Sequence, residues 1–467
     1  MNQNPHCEGP NRDRLIFTLN RRLPDYKVYR TNEDSEYKMD AGAAHGISQG
    51  AQFTLYVSDV GVATLIAEKP AISSTILKMK EVIGPPLSNE DGYVRYLWGG
   101  NEEDLRLCVT ISGSKSPTCN VPGAPNVSGH ISHSPPSPQM TGEELRSKIA
   151  ELKNVRRGIN LVDSHLAELI VEIKEHEVVF YLCNHELESK PDSKPNSTLA
   201  VSFLGATIRA ISKFKLSNIW SFFGMSSESA FHHHDWSTNI LPYTVPPNIA
   251  VVYPVIDAAA HYFYHLRRAP VEHHLNTKVI VEFFEVEETD EMDETGLRTL
   301  RTKGKNMIID GEVNVFIEEK DKSYGMKLTS TLPAINLHYS VFFFESDLRI
   351  VSYHQPGVAL NMPAPSLEAK GVLSIGFGDG DNAPRTYSLR EEQDFDIGFL
   401  KIFLSTFPLD LSHIVQKYPF ETDGTRRQAT ARKDRVAERP VSLLWDTIVI
   451  PVKQQRRGRA NLHGSAT

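Results

Sequence analysis

Cysteine is scarce. The 467 residues hold four, Cys7, Cys108, Cys119 and Cys183, scattered along the chain and never spaced as CxxC. That excludes a disulfide framework and leaves reduced thiols in an intracellular, cytoplasmic protein as the expectation. Asn126 in "NVS" and Asn196 in "NST" are formal glycosylation sequons, but nothing else in the sequence points to secretion. Long uncharged apolar runs are missing too. The most apolar stretch, "TLAVSFLGATIRAISKFKLSNIWSFFG" at 198–224, is interrupted by Arg209, Lys213 and Lys215. It therefore falls short of the roughly 18 residues that a membrane span requires. Val201, Leu204, Ile208 and Ile211 recur there at helical spacing, which describes a helix buried against the body more readily than one lying on a membrane. The N-terminal "MNQNPHCEGPNRDR" is polar and lacks the apolar run of a signal peptide. Positive charge is also in deficit: the net charge is -8, which argues against general nucleic-acid binding. The exception is the end of the chain. From Gly424 onward there are ten Lys/Arg against three Asp/Glu, so this part is near +7 and the remainder near -15. A solvated basic tail is expected.

What is present reads as β-structure. The length suggests roughly two to four domains, and an apolar fraction of 40% fits a soluble globular chain. From Lys27 to about Met79, short runs such as "KVYR", "AQFTLYV", "GVATLIAEKP" and "SSTILKM" alternate β-formers with polar residues. Gly42, Gly46, Gly50 and Gly61 punctuate them. The expectation is a small barrel over 24–84, after an N-terminal extension 1–23. An α+β segment is expected over 85–185, with a Ser/Pro/Gly-rich loop at 111–140. In it, "TGEELRSKIAELKNVRRG" predicts a helix capped by Thr141 and Glu144, with Leu145, Ile149 and Leu152 facing inward. "AELIVEIKEHEVVFYLC" predicts a hairpin. Residues 186–240 read as an irregular insertion or linker. Over 241–423 a helix, Val255 to Arg268, precedes eight candidate strands between Lys278 and Ser405, which fit an antiparallel β-sandwich. A basic disordered linker at 424–440, a strand at 441–452 returning to a sheet edge, and a basic tail at 453–467 complete the expectation. The fold class is thus mainly β with some α.

Several clusters invite a chemical reading. His45 precedes Gly46 in "AGAAHGISQG", as a histidine precedes glycine in caspase-like peptidases. That histidine follows an apolar strand and faces a strand-end cysteine, and neither stands here, so His45 reads as a turn residue. "GFGDGD" (Gly376, Gly378, Gly380) has the look of a phosphate loop, but Pro384 and a strand follow instead of a helix, which predicts a hairpin loop. "HHHD" (His232, His233, His234, Asp235) is the best metal candidate by composition, yet adjacent histidines diverge. A site would need His185 or the pair His273/His274 as well. His261 and His265 share a helical face, but Tyr262 stands where the zincin pattern has its glutamate. The acidic runs "REEQDFD" (390–396) and "EVEETDEMDE" (285–294) do not follow calcium-loop spacing and read as solvated loops. No catalytic, metal or cofactor-binding residue is assigned, and no cofactor is expected.

Five phrases carry a resemblance: "DAGAAHGISQGAQFTLYV", "NEEDLRL", "LPYTVPPNIAVVYPVIDAAAHYFYHLRR", "GVLSIGFGDGDNAPRTYSLREEQDFDIGFLKIFLSTFPLDLSHI" and "LLWDTIVIPV". Together they resemble the C-terminal region of basidiomycete caspase-domain proteins, over most of residues 14–452 with an interruption near 186–235. In that family a catalytic α/β domain with a His/Cys dyad comes first, and the β-rich region follows. No residue here matches the dyad, so none is carried over. The interruption reads as a lineage-specific insertion or a retained intron. The resemblance implies a non-catalytic regulatory or interaction region whose partners are proteins or a caspase-like domain. The alternatives are a fragment of a caspase-like cysteine endopeptidase that lacks its catalytic domain, and a metal- or ligand-binding β protein.

Overall fold

The computed structural model describes residues 25–31, 36–58, 60–84, 92–98, 100, 104–112, 140–155, 158–183, 238–292, 298–317, 322–354, 367–378, 383–391, 393–420 and 443–456. The segment with the "HHHD" cluster, most of the expected insertion, the Ser/Pro/Gly-rich loop, the basic linker and the end of the tail lie outside these residues.

Six strands form the first unit: β1 (Tyr26–Arg30), β2 (Glu36–Met39), β3 (Gln52–Val57), β4 (Val60–Pro70), β5 (Thr75–Val82) and β6 (Gly92–Trp98). They close into a barrel in the order β1-β2-β5-β4-β3-β6. The period-2 alternation sends Val28, Met39, Phe53, Leu55, Leu65, Leu77 and Val94 inward, where they form one core. The expected boundary at residue 84 is too early. β6 pairs with both β1 and β3, and without it two strand edges would face solvent.

The middle unit contains β7 (Leu105–Ile111), α1 (Gly142–Val155), β8 (Ile159–Leu161), β9 (Leu169–Ile173), β10 (Val178–Cys183) and β11 (Thr238–Ile240). The sheet order is β11-β10-β9-β7-β8, with β7 parallel to both β8 and β9. β9 and β10 form the hairpin read from "IVEIKEHEVVFYL". α1 starts where its capping box placed it. The Thr141 N–H donates to Glu144 Oε2 at 2.9 Å, and the Glu144 N–H donates to Thr141 Oγ1 at 3.3 Å. Leu145 and Ile149 are buried against the sheet. β11 belongs to this sheet, so the irregular stretch expected over 186–240 ends in a paired strand.

The next helix, α2 (Ile249–Arg267), starts six residues before the expected Val255. Proline in a helical pattern signals a boundary, yet Pro254 lies inside this one. Asn248 supplies the start, its Oδ1 accepting from the Ala250 N–H at 2.9 Å. The carbonyl that Pro254 cannot bond is that of Ala250, an exposed residue. No described helix is long and apolar enough to cross a membrane.

The rest is a two-sheet sandwich built from β12 (Val279–Met292), β13 (Arg298–Lys303), β14 (Ile308–Ile309), β15 (Glu312–Ile317), β16 (Ser323–Ser330), β17 (His338–Phe344), β18 (Ile350–His354), β19 (Val372–Ile375), β20 (Arg385–Thr386), β21 (Phe395–Ser405) and β22 (Trp445–Arg456). One sheet runs β13-β12-β16-β19, with β20 also on β16; the other runs β14-β15-β22-β21-β17-β18. Two expectations are corrected here. β22 is an interior strand, antiparallel to β21 and parallel to β15, and it extends through Lys453–Arg456, beyond the strand end expected at 452 and into the expected tail. The sandwich is therefore not purely antiparallel. The six-stranded sheet is buried on both faces. Val341, Phe343, Leu400, Ile402 and Ile450 meet the other sheet, while Phe342, Phe344, Phe403, Trp445 and Val449 meet the core that includes α2.

Candidate functional site

Among the described residues, a cluster of titratable side chains lies where the barrel meets the C-terminal end of α2. In the barrel, Ala43–His45 form a single 3-10 turn closed by Gly46, whose φ of 86° falls in the left-handed region. Glycine is needed there twice over, because a Cβ would also overlap the Arg268 guanidinium. The Gly46 carbonyl accepts from the Tyr264 hydroxyl at 2.8 Å, which ties the turn to α2. His45 Nδ1 accepts from the Gly42 N–H at 3.2 Å. This is the local turn role expected of it, and the turn in addition docks the barrel.

Around this contact the chain gathers His261, His265 and Arg268 from the end of α2, Lys401 from β21, and Asp410 and His413 from the loop after β21. The His261 and His265 rings are 4.3 Å apart by centroid, and His265 and His413 are 5.5 Å apart. His261 Nε2 lies 3.0 Å from the Ile414 carbonyl, so this nitrogen carries the proton. The Arg268 guanidinium rests over Phe403 at 4.9 Å and Trp445 at 5.9 Å. Lys401 is 0% exposed and donates to the carbonyls of Leu266 and Arg268 at 2.8 and 2.5 Å, closing the end of α2. Arg267 forms an ion pair with Glu168 and donates to the Asp104 carbonyl at 2.9 Å, fixing α2 on the middle sheet. A recess of about 240 Å³ remains between barrel and helix, lined by Ala43, Ile47, Tyr264, Arg267, Arg268 and Trp445 among others.

The electrostatics follow from burying cations together. His45 is half-buried, and burial, then Arg268, push it down to about 4, with Asp410 opposing. Burial, then Arg268 and His45, push His413 down to about 3. Burial is also the largest cause for His265, followed by His261, Arg268, His413 and Lys401, and holds it well below the usual range. Lys401 is lowered by burial and Arg268, while burial raises the neighbouring Tyr26 hydroxyl. These histidines are neutral near pH 7. Their folded values lie below the unfolded value of about 6.5, so the unfolded chain binds more protons between the two. Stability should therefore fall as the pH is lowered from about 6.5 toward about 4. Glu345 and Asp396 act in the opposite sense, because burial raises them. The difference in denaturation midpoint between the unaltered chain and His45→Gln isolates the histidine term. That difference should shrink across this window, and a constant difference would refute the assignment.

Two substitutions separate the local role from the docking role. His45→Ala removes one hydrogen bond and should cost about 0.5–1.5 kcal/mol. Gly46→Val adds left-handed strain and displaces Arg268, and should cost about 2–3 kcal/mol. Thermal melts of the whole chain check the order, and the reverse order would mean that His45 does more than shape the turn.

The remaining sequence candidates scatter. His273 Nδ1 lies 2.6 Å from Asp446 Oδ1, and His274 pairs with Glu272 at 3.4 Å on the surface. Buried Asp446 also accepts from the N–H groups of Leu275, Asn276 and Thr447 at 2.8, 2.9 and 2.7 Å, so this pair clamps the loop after α2 onto β22. Among the described residues no three His, Cys, Asp or Glu side chains converge as a metal site requires. Gly376 and Gly378 have φ of 84° and 63° in the link from β19 to β20. That link is not a hairpin, because both strands pair with β16 and not with each other. The acidic run 285–294 is largely strand, not a solvated loop. Glu285 and Glu287 of β12 pair with Lys303, Lys322 and Arg301. The 390–396 run likewise enters β21 at Phe395. Of the cysteines, Cys108 and Cys183 are buried, while Cys7 and Cys119 lie outside the described residues. Sequence reading missed Arg268, Lys401, His413 and Asp446. Lys401 alone left a signal, as the one cation inside the apolar run "GFLKIFLS". No family model, curated protein or solved structure matches the chain.

Proposed function

We propose that this chain acts as a non-catalytic protein-interaction or regulatory region of a caspase-like architecture. Among the described residues, the observation that carries the reading is that the thiols and the buried imidazoles of α2 lie on opposite sides of the middle sheet. Cys108 and Cys183 lie on one face of the middle sheet, and α2 with His261 and His265 packs toward the other. Cysteine catalysis needs a thiol within hydrogen-bond reach of a base. The buried histidines also make poor bases near pH 7, since a value of about 4 at His45 or about 3 at His413 is far from the optimum for proton transfer. What the cluster does supply is a hydrogen-bonded joint between barrel, helix and sandwich, the kind of scaffold on which loops and strand edges present a binding surface.

The partner class follows from the resemblance: a caspase-like catalytic domain. Titration of the whole chain with a separately purified catalytic domain of the resembled family, followed by calorimetry, tests it. Saturable binding is expected. Heats no larger than dilution, with both proteins folded, would refute the reading.

A further inference from the structure

One face of the five-stranded middle sheet carries Leu105, Leu107, Val171 and Phe180 against the two helices. The opposite face carries Cys108, Ile170, Val179, Tyr181 and Cys183, which are 8%, 8%, 4%, 6% and 3% exposed. Among the described residues, its other apolar neighbours are Ala167, Val162 and Ile240, which belong to the same sheet or its rim. Side chains standing off a sheet cannot exclude water from one another; that takes a second layer about 10 Å away.

We propose that this face is a docking surface for residues 198–224 of the same chain. The points where that part of the chain leaves and rejoins the sheet support this. β10 ends at Cys183 and β11 begins at Thr238, and these two residues are register partners. Residues 184–237 therefore depart from and return to one point on the sheet edge, their ends held about one strand spacing, roughly 5 Å, apart. Contact with the adjacent face is intramolecular and needs no second chain. The composition fits as well. Val201, Leu204, Ile208 and Ile211 recur at the spacing of one helical face, with Arg209, Lys213 and Lys215 close by in the sequence. The polar end of the face is acidic: Glu172 accepts from the Tyr181 hydroxyl and from Ser112 Oγ, both at 2.7 Å. Apolar residues at that spacing, with cations close by, match an apolar face bordered by a carboxylate.

The test uses the whole chain with benzoylphenylalanine in place of Tyr181, which keeps the aromatic ring and extends it by a photoreactive benzoyl group toward whatever covers the face. Irradiation should join position 181 to a peptide within 198–224. A crosslink to another part of the chain or to a second copy, or none at all, overturns the proposal. A second measurement reads the same contact through its thiols. In a chain carrying Cys7→Ser and Cys119→Ser, adding Leu204→Glu and Ile208→Glu should speed maleimide labelling of Cys108 and Cys183. The increase should exceed about tenfold, the factor that exposure of one apolar side chain supplies. Unchanged labelling in a chain that still melts cooperatively overturns it too.

Discussion

A chain ending at residue 442 should show no cooperative unfolding transition and should aggregate, while one ending at 456 should melt cooperatively. β22 is hydrogen-bonded on both sides, to β21 from Phe395↔Gln455 through Ser405↔Trp445 and to β15 from Val313↔Val452 through Ile317↔Arg456. Its removal takes Ile450 and Val452 from one core and Trp445 and Val449 from the other. Each large apolar side chain lost from a core forfeits roughly 1.5–3 kcal/mol, and a whole domain has only about 5–15 kcal/mol to lose. It also removes Asp446, the acceptor for His273 and for three backbone N–H groups, and it opens two long strand edges to other chains. Thermal scans with light scattering distinguish the two truncated chains. Similar melts for the two would mean that β22 is peripheral.

Lys401→Met should cost about 3–5 kcal/mol, the penalty for leaving two buried carbonyls without their donor. The substitution keeps the length and apolar character of the stem, but it leaves the Leu266 and Arg268 carbonyls unpaired at the buried end of α2. Arg268 cannot take over, because its own guanidinium is set over Phe403 and Trp445. Urea denaturation at pH 7 should show a lower midpoint at an unchanged slope. A loss below about 1 kcal/mol would show that the carbonyls find another donor.

Much of the architecture can be read from the sequence, because strands with one face in a core alternate visibly. "AQFTLYV" buries Phe53 and Leu55 on one face, and the capping box of α1 is a local motif realised locally. The errors fall where non-local partners decide. "GYVRYLW" joins the barrel only because β1 and β3 leave two edges for β6 to close. "LLWDTIVIPV" reads as an edge strand by its position near the chain end, and the parallel pairing with β15 places it inside. Pro254 hides the first turns of α2, where an asparagine cap and an exposed carbonyl accommodate it. The joint is the hardest case. His45, Arg268 and the Lys401–His413 segment are separated by long stretches of chain, and each residue looks ordinary in its own segment. Only a strand buried on both faces forces Lys401 inward, and a one-sided alternation would have placed it in solvent.

The proposed non-catalytic role predicts that this chain carries out no cysteine peptidase chemistry of its own. The direct measurement is hydrolysis of Arg-, Lys- and Asp-ending fluorogenic peptides by the purified whole chain, with and without calcium, alongside a variant with all four cysteines changed to alanine. No turnover that differs between the two proteins is the expected result. Turnover by the unaltered chain that disappears in the variant would contradict the account.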